Sequence, residues 1–124
     1  MITFEDVSVR VPVPGAPGQP WATRTILDSV DLQLTEPRVA VLGANGSGKS
    51  TLLRLVNGLV GASAGRVLVD GLDPATQGRA VRARVGFVFT DPLSQLVMPT
   101  PVEDVELSLR RHIRDRDQRR SAAL

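Results

Sequence analysis

Apolar and polar side chains alternate at the start of the chain and again from Leu27 to Leu34. A period of two predicts half-buried β-strands, and a slip in the alternation at Glu5-Asp6 predicts a kink or bulge in the first strand. Residues 12–20, between the two strands, are rich in proline and glycine and predict a loop. These segments together predict a β layer with antiparallel strands.

Later in the chain, short apolar runs alternate with segments of helical spacing. The runs predict buried strands, and they cover residues 38–42, 67–69 and 85–89, the second closed by an Asp70-Gly71 turn. Apolar positions at helical spacing predict a helix over 50–60, and residues 78–84 are a candidate for a further short helix. This order predicts an α/β fold in which a small β layer is attached to a nucleotide-type core.

The last predicted element is a helix with a clear start. Thr100 predicts its N-cap, Pro101 its first residue and Glu103 the capping box. An apolar stripe from Val102 to Ile113 continues it, supported by the i,i+4 pairs Glu106–Arg110 and Asp115–Arg119. Since no Gly or Pro stops it, we expect one helix that is cut at the end of the chain.

Composition narrows the class of protein. The chain has 124 residues, 42% hydrophobic and 23% charged, which fits one small domain or part of a larger one. It has no cysteine, which excludes a disulfide framework and thiolate metal sites. No stretch approaches the roughly 18 apolar residues of a membrane span, and the acidic start is unlike a signal peptide. We therefore expect a soluble, cytoplasmic chain.

Charge is unevenly distributed along the chain. The net charge is +2, but residues 110–124 carry six arginines against two aspartates. Such a run faces a partner or anionic lipid head groups, or is simply a solvated helix face. His112 lies within it and is expected to be a solvated surface residue. Lys49 is the single lysine of the chain.

That lysine falls within a phosphate-binding pattern. Residues 43–50, Gly-Ala-Asn-Gly-Ser-Gly-Lys-Ser, satisfy G-x-x-x-x-G-K-[ST] between a predicted strand and a predicted helix. The glycines allow backbone N–H groups to converge on an anion at the positive end of a helix. Lys49 would then bridge β- and γ-phosphate oxygens, and Ser50 would bind Mg²⁺. A glycine-rich loop that only turns the chain is the alternative, and the context favours nucleotide binding.

The phosphate-binding loop does not by itself select one reaction. The guanine-reading motif Asn-Lys-x-Asp needs another lysine, so a GTPase of that type is excluded. Asp91 is the only candidate for a carboxylate that holds Mg²⁺ or orients water, but its position before Pro92 favours the start of a loop over that role. An ATPase, a P-loop kinase or small NTPase acting on a soluble substrate, and a non-hydrolysing nucleotide-binding module remain open.

Nearly the whole chain resembles, in register, the first half of an ABC transporter ATPase. Residues 43–53 are similar to the family's Walker A motif, 63–71 to the segment after it, and 85–89 to the strand that enters the Q-loop. Within the family, the energy-coupling-factor, cobalt and biotin uptake branch is the most similar. The segments that carry this closer likeness are residues 91–96, Pro99-Thr100 and 102–105.

The resemblance implies a P-loop NTPase core with a partial parallel sheet and an N-terminal antiparallel β subdomain. It divides the chain into a β subdomain (1–36), a core up to the Q-loop (37–99) and the start of a helical subdomain (100–124). It implies Mg-ATP binding, with Mg²⁺ on Ser50. The implied nucleotide-binding residues are Gly43, Ala44, Asn45, Gly46, Ser47, Gly48, Lys49, Ser50 and Thr51.

The resemblance also implies partners. A second ATPase subunit, identical or different, would complete the site, and a transmembrane transporter subunit would contact residues 90–104. ATP hydrolysis would drive uptake of a vitamin or a transition-metal ion at the cytoplasmic face of the membrane. No nucleic acid partner is expected.

The chain departs from the family pattern at three places. Val11 stands where the branch has an adenine-stacking aromatic, so Trp21 either replaces that aromatic or packs. Thr90 holds the position of the Q-loop glutamine and reaches Mg²⁺ only through water or with a loop shift. The signature motif, Walker B carboxylates and switch histidine would lie beyond residue 124. We therefore expect no catalytic residue in this chain and no ATP hydrolysis by it alone. Because the neighbours of its core strands would also be missing, we expect exposed apolar edges through which copies associate.

Overall fold

The computed structural model describes residues 1–18, 20–91 and 96–124. Its elements are, in chain order, β1 (Ile2–Val13), β2 (Ala22–Leu34), α1 (Lys49–Val56), β3 (Ala64–Val69), α2 (Gly78–Arg82), α3 (Pro101–Leu109) and α4 (Arg116–Ala123). The chain forms two compact units, residues 1–86 and 87–124. The first contains the sheet with α1 and α2, and the second contains α3 and α4.

The sheet is antiparallel, with β1 between β2 and β3. The pairing of β1 with β2 shifts register after Phe4, and its pairing with β3 shifts register after Glu5. Asp6, which follows both positions, has a left-handed φ of 48°. The kink predicted at Glu5-Asp6 is therefore confirmed. Both strands are longer than predicted: β1 continues to Val13, inside the predicted loop, and β2 begins already at Ala22. Pro12 therefore pairs with Thr23. Proline fits there because β3 pairs with β1 only as far as Ser8, which leaves one edge of β1 without a neighbour.

Two charged contacts hold the ends of β3 against β1. The amino group of Met1 donates to Asp70 Oδ1 at 2.6 Å, and this bond lowers the pKa of the Asp70 carboxyl. Further along, Arg66 donates to Glu5, which raises the pKa of the guanidinium. Asp70 and Gly71 both have positive φ and close a turn in which Val69 and Leu72 bridge, as the sequence predicted.

The core of the first unit lies between the sheet and the two helices. Its buried apolar side chains are Phe4, Val7, Val9, Leu55, Val56, Val67, Val69 and Val81. They come from β1, α1, β3 and α2, so the strand alternation and the helical stripe converge on one cluster.

The helix after the phosphate-binding loop is shorter than its apolar pattern predicted. It ends at Val56 instead of continuing to residue 60. Gly58 takes a left-handed φ of 67°, its N–H donates to Leu55, and the N–H of Leu59 donates to Arg54. This is a Schellman ending, which satisfies the last carbonyls and stops the helix.

The strands predicted at residues 38–42 and 85–89 are not formed in the described chain. A strand requires a hydrogen-bonded neighbour, and within the described residues no other strand pairs with either segment. Leu42 and Val88 are correspondingly 90% and 92% exposed. The α/β architecture is confirmed by the antiparallel sheet and its helices, but those two strand predictions are wrong.

The second unit confirms the predicted helix start. Thr100 Oγ1 accepts from the N–H of Glu103, and Glu103 Oε2 accepts from the N–H of Thr100, with Pro101 as the first helical residue. This reciprocal capping box fixes where α3 begins.

The expectation of one continuous helix is wrong. α3 ends at Leu109 and α4 begins at Arg116. Asp115 is the N-cap of α4 and accepts from Gln118, while Arg119 donates to the carbonyl oxygens of Ile113 and Arg114. These contacts replace the predicted pair of Asp115 with Arg119, and Glu106 pairs with Arg120 at 3.0 Å instead of with Arg110.

No helix in the described part of the chain is long and apolar enough to cross a membrane.

Candidate phosphate-binding site

The phosphate-binding loop runs directly into α1. Gly46 and Gly48 have left-handed φ values of 81° and 90°, and Gly48 is the N-cap of the helix. The N–H of Ser47 donates to Ala44, and the N–H of Leu52 donates to Gly48. The chain therefore turns tightly twice before the helix starts, and these two turns need a residue without a Cβ.

Lys49 is folded back over this loop. Its Nζ donates to the carbonyl oxygens of Gly43 and Ala44, at 2.7 Å each. Both acceptors are neutral, so phosphate oxygens, which carry negative charge, would bind the same ammonium more strongly. These two contacts hold the chain's single lysine cation beside the loop.

Glycine is also required where the loop touches its surroundings. A Cβ on Gly48 would lie 2.9 Å from Leu27 Cδ2 and 3.1 Å from the carbonyl oxygen of Ile26. A Cβ on Gly43 would meet only side chains of the loop itself, with Ser47 Oγ at 2.6 Å, and that hydroxyl can rotate away. The loop therefore rests directly on β2, which fixes its position relative to the sheet.

The electrostatics of the helix start favour an anion. The first turn of α1 contains no acidic residue, so the positive end of the helix is not neutralised there. Residues 42–47 and Ser50 are exposed, so a ligand can reach the loop from solvent. The first N–H groups of any helix lack intrahelical acceptors and are available to phosphate oxygens.

The Ser50 hydroxyl suits Mg²⁺, which takes oxygen ligands and usually keeps few protein ones. Among residues 1–18, 20–91 and 96–124, no three His, Cys, Asp or Glu side chains lie together as a metal site of their own.

The remaining residues singled out in the sequence lie outside the loop, and they differ in how exposed their side chains are. Thr90 and Asp91 are exposed and belong to the second unit, whereas residues 92–95 lie outside the described part. Val11 is half-buried against the core. Trp21 is 72% exposed immediately before β2, so the packing interpretation of this residue is wrong. His112 is exposed, as predicted.

Sequence reasoning missed the contribution of β2 to the site. Ile26 and Leu27 form the surface against which Gly48 packs, and they lie more than twenty residues before it. Their apolar strand pattern predicted burial but gave no signal for what covers them.

The family model for ABC transporters matches residues 27–124. This chain belongs to the ABC transporter family. An ABC transporter ATP-binding protein of Bartonella quintana is 52% identical over 85 residues, covering 68% of this chain and 38% of that protein. The biotin transport ATP-binding protein BioM of Rhizobium etli is 39% identical over 94 residues, covering 76% of this chain and 42% of that protein.

Further relatives are named energy-coupling factor transporter ATP-binding proteins. The resemblance to this branch of the ABC family is therefore confirmed. The chain spans about two fifths of the length of the first two relatives.

Solved structures confirm the ABC fold. A dimeric ATP-binding cassette, solved in a post-hydrolysis state with ADP and Pi, superposes with a TM-score of 0.79 at 26% identity. The superposition covers 99% of this chain and 54% of that one.

Proposed function

We propose that this chain is part of the ATP-binding subunit of an ABC transporter and holds Mg-ATP on its phosphate-binding loop. One observation carries the proposal: Lys49 Nζ is fixed 2.7 Å from two loop carbonyls at the start of a helix whose first turn has no acidic residue. This places a cation and a positive helix end together, which is the arrangement that binds nucleotide phosphates.

Each residue of the loop has a proposed role. Backbone N–H groups surround the β-phosphate, Lys49 Nζ leaves its carbonyl partners for β- and γ-phosphate oxygens, and the Ser50 hydroxyl is a ligand of Mg²⁺. When bound, Mg²⁺ neutralises charge on the phosphates. The proposed nucleotide-binding residues are Gly43, Ala44, Asn45, Gly46, Ser47, Gly48, Lys49, Ser50 and Thr51.

A nucleotide series tests the phosphate-binding role. Calorimetric titration of the chain with ATP, ADP and AMP should give binding of ATP and ADP that is at least about tenfold tighter than that of AMP, which lacks the β-phosphate. Ser50→Ala should weaken Mg-ATP binding and leave binding of ATP with EDTA unchanged. Equal affinity for AMP and ATP would remove the loop as the site of binding.

We further propose that the whole protein hydrolyses ATP to drive uptake of a vitamin or a transition-metal ion. The biotin transport and energy-coupling factor names of its relatives support that cargo class. The dimeric cassette among its structural neighbours supports a second ATPase subunit as partner. The transmembrane subunit would contact residues 90–104, at the cytoplasmic face of the membrane, with Thr90 at the Q-loop position.

The proposed organisation follows the family division of the chain: a β subdomain over 1–36, a core over 37–99 and the start of a helical subdomain over 100–124. Hydrolysis would depend on the signature motif, Walker B carboxylates and switch histidine of the complete protein. The 124-residue chain alone is therefore proposed to bind ATP without hydrolysing it.

Cargo uptake can be measured in cells that produce the full-length protein with its transporter subunits. Accumulation of one of two cargo classes, labelled biotin or radioactive cobalt or nickel ions, should depend on the wild-type protein and fall to background with Lys49→Ala. Normal uptake of both cargo classes with Lys49→Ala would contradict the transport role.

A further inference from the structure

The second unit contains a cavity of about 230 Å³ between α3 and α4. Three arginines line it, Arg110, Arg116 and Arg119, together with Met98, Glu103, Glu106 and Leu107. Pockets for drug-sized ligands run at roughly 300–1,000 Å³, so this one suits a smaller group. Three guanidinium groups around one cavity indicate that its ligand is an anion.

The two glutamates of this arginine cavity already have other partners. Glu103 Oε2 accepts from the N–H and hydroxyl of Thr100, at 3.1 and 2.7 Å. Glu106 Oε1 accepts from Arg120 at 3.0 Å. Among the described residues, no salt bridge joins a carboxylate to any of the three lining arginines. Counting Arg120, the cluster carries four positive and two negative charges, so positive charge remains for a ligand.

Arg119 is the most constrained of the three arginines. Its Nη1 donates to the carbonyl oxygens of Ile113 and Arg114, at 2.9 and 2.6 Å, which fixes the side chain at the turn between the helices. Its Nε is buried and has no hydrogen-bond partner in the described part of the chain. A buried cationic N–H without an acceptor is unfavourable, and an oxyanion oxygen would satisfy it.

We propose that the arginine cavity binds a phosphate monoester group. Its oxygens accept from the guanidinium groups of Arg110, Arg116 and Arg119, whose planar sets of donors match phosphate better than a lysine ammonium would. Phosphate is favoured over a single carboxylate because it offers enough oxygens to accept from all three lining guanidinium groups at once. The group belongs either to a free phosphorylated ligand or to a phosphatidic acid head group. This site is independent of nucleotide binding at the phosphate-binding loop.

The test uses inorganic phosphate as the probe and the Lys49→Ala chain as the background, so that phosphate bound at the loop does not contribute. The Nε–H signal of Arg119 is followed by nitrogen-15 NMR during titration at constant ionic strength. We expect a saturable shift, with affinity at least about fivefold weaker in Arg110→Gln/Arg116→Gln. The charge-matched control Arg111→Gln/Arg114→Gln removes two neighbouring arginines that do not line the cavity, and should keep the affinity.

Two results would overturn the proposal: no saturable shift of Arg119 in the unaltered cavity, or equal loss in the two double variants. The first result is measured on a chain whose cavity residues are all unchanged, so it does not depend on whether a cavity variant folds.

Vesicles of phosphatidylcholine with phosphatidic acid separate the two sources of the phosphate group. Sedimentation with these vesicles, abolished only by Arg110→Gln/Arg116→Gln, would assign the site to the lipid head group. Phosphate binding without sedimentation would assign it to a free ligand.

Discussion

At the scale of single residues, the phosphate-binding site depends on backbone that only glycine adopts freely. Gly46 and Gly48 both have positive φ, but only Gly48 touches a neighbour, the Ile26–Leu27 segment of β2. Conformation and close contact can therefore be separated by substituting each glycine in turn.

Gly48→Ala should destabilise the chain by about 2–3 kcal/mol, because the strained φ and the displacement of Leu27 act together. It should also weaken Mg-ATP binding, since the start of α1 moves. Gly46→Ala has only the φ cost and should lose about 1 kcal/mol. Urea unfolding and calorimetric titration measure both effects. Equal losses for the two variants would show that the contact with β2 contributes nothing.

The residues of the proposed site could be predicted from the sequence because the pattern is local. Eight consecutive residues fix the loop, and Lys49 and Ser50 follow from their chemistry. The support from Ile26 and Leu27 could not be predicted, since it arises from contacts between distant segments. The environment of Trp21 was also unpredictable, because a single aromatic residue in a loop gives no period from which burial can be inferred.

At the scale of elements, the pairing of β1 with β3 depends on one glycine beside the kink. A Cβ on Gly65, which has a φ of 72°, would overlap the carbonyl oxygens of Asp6 and Glu5. Both neighbours are backbone atoms of the register shift in β1, so they cannot move aside without disturbing the pairing.

Gly65→Ala should therefore cost about 3 kcal/mol or more and open the amino-terminal end of β3. Gly61→Ala is the matched control, because a Cβ there meets nothing within 4 Å and its φ is not positive. The control should change stability by less than about 0.5 kcal/mol. Urea unfolding with hydrogen exchange of the β1 and β3 amides measures both. A Gly65→Ala chain as stable as the control would contradict this description of the pairing.

Elements with local signals were predicted correctly, and those that depend on partners were not. The capping box of α3 and the kink in β1 each follow from a few adjacent residues. The break between α3 and α4 does not, because no Gly or Pro marks it. It depends on Asp115 capping α4 and on Arg119 reaching two carbonyls, contacts that compete with the helical ion pairs. The predicted strand at 38–42 lacks a neighbouring strand in the described chain.

At the scale of the whole molecule, segments predicted to be buried strands present apolar side chains to solvent. Leu42 is 90% exposed and Val88 is 92% exposed. Exposed apolar side chains on unpaired backbone favour association between copies.

The chain should therefore self-associate at micromolar concentration, and Leu42→Gln should reduce that association. Leu124→Gln is the matched control, since Leu124 is 89% exposed but lies outside the predicted strands. Sedimentation velocity over a concentration series measures the effect. A monomeric wild-type chain, or equal reduction in both variants, would show that the unpaired segment does not drive association.

The central proposal, that the loop binds Mg-ATP, is tested most directly by equilibrium titration of wild type beside Lys49→Ala. Arg54→Ala is the matched control, because it removes another cation from α1, in the last turn of the helix. Saturable binding by wild type and Arg54→Ala, weakened at least about tenfold in Lys49→Ala, is the predicted result. A wild-type chain that unfolds cooperatively but does not bind Mg-ATP, or a Lys49→Ala chain that binds equally well, would contradict the proposal.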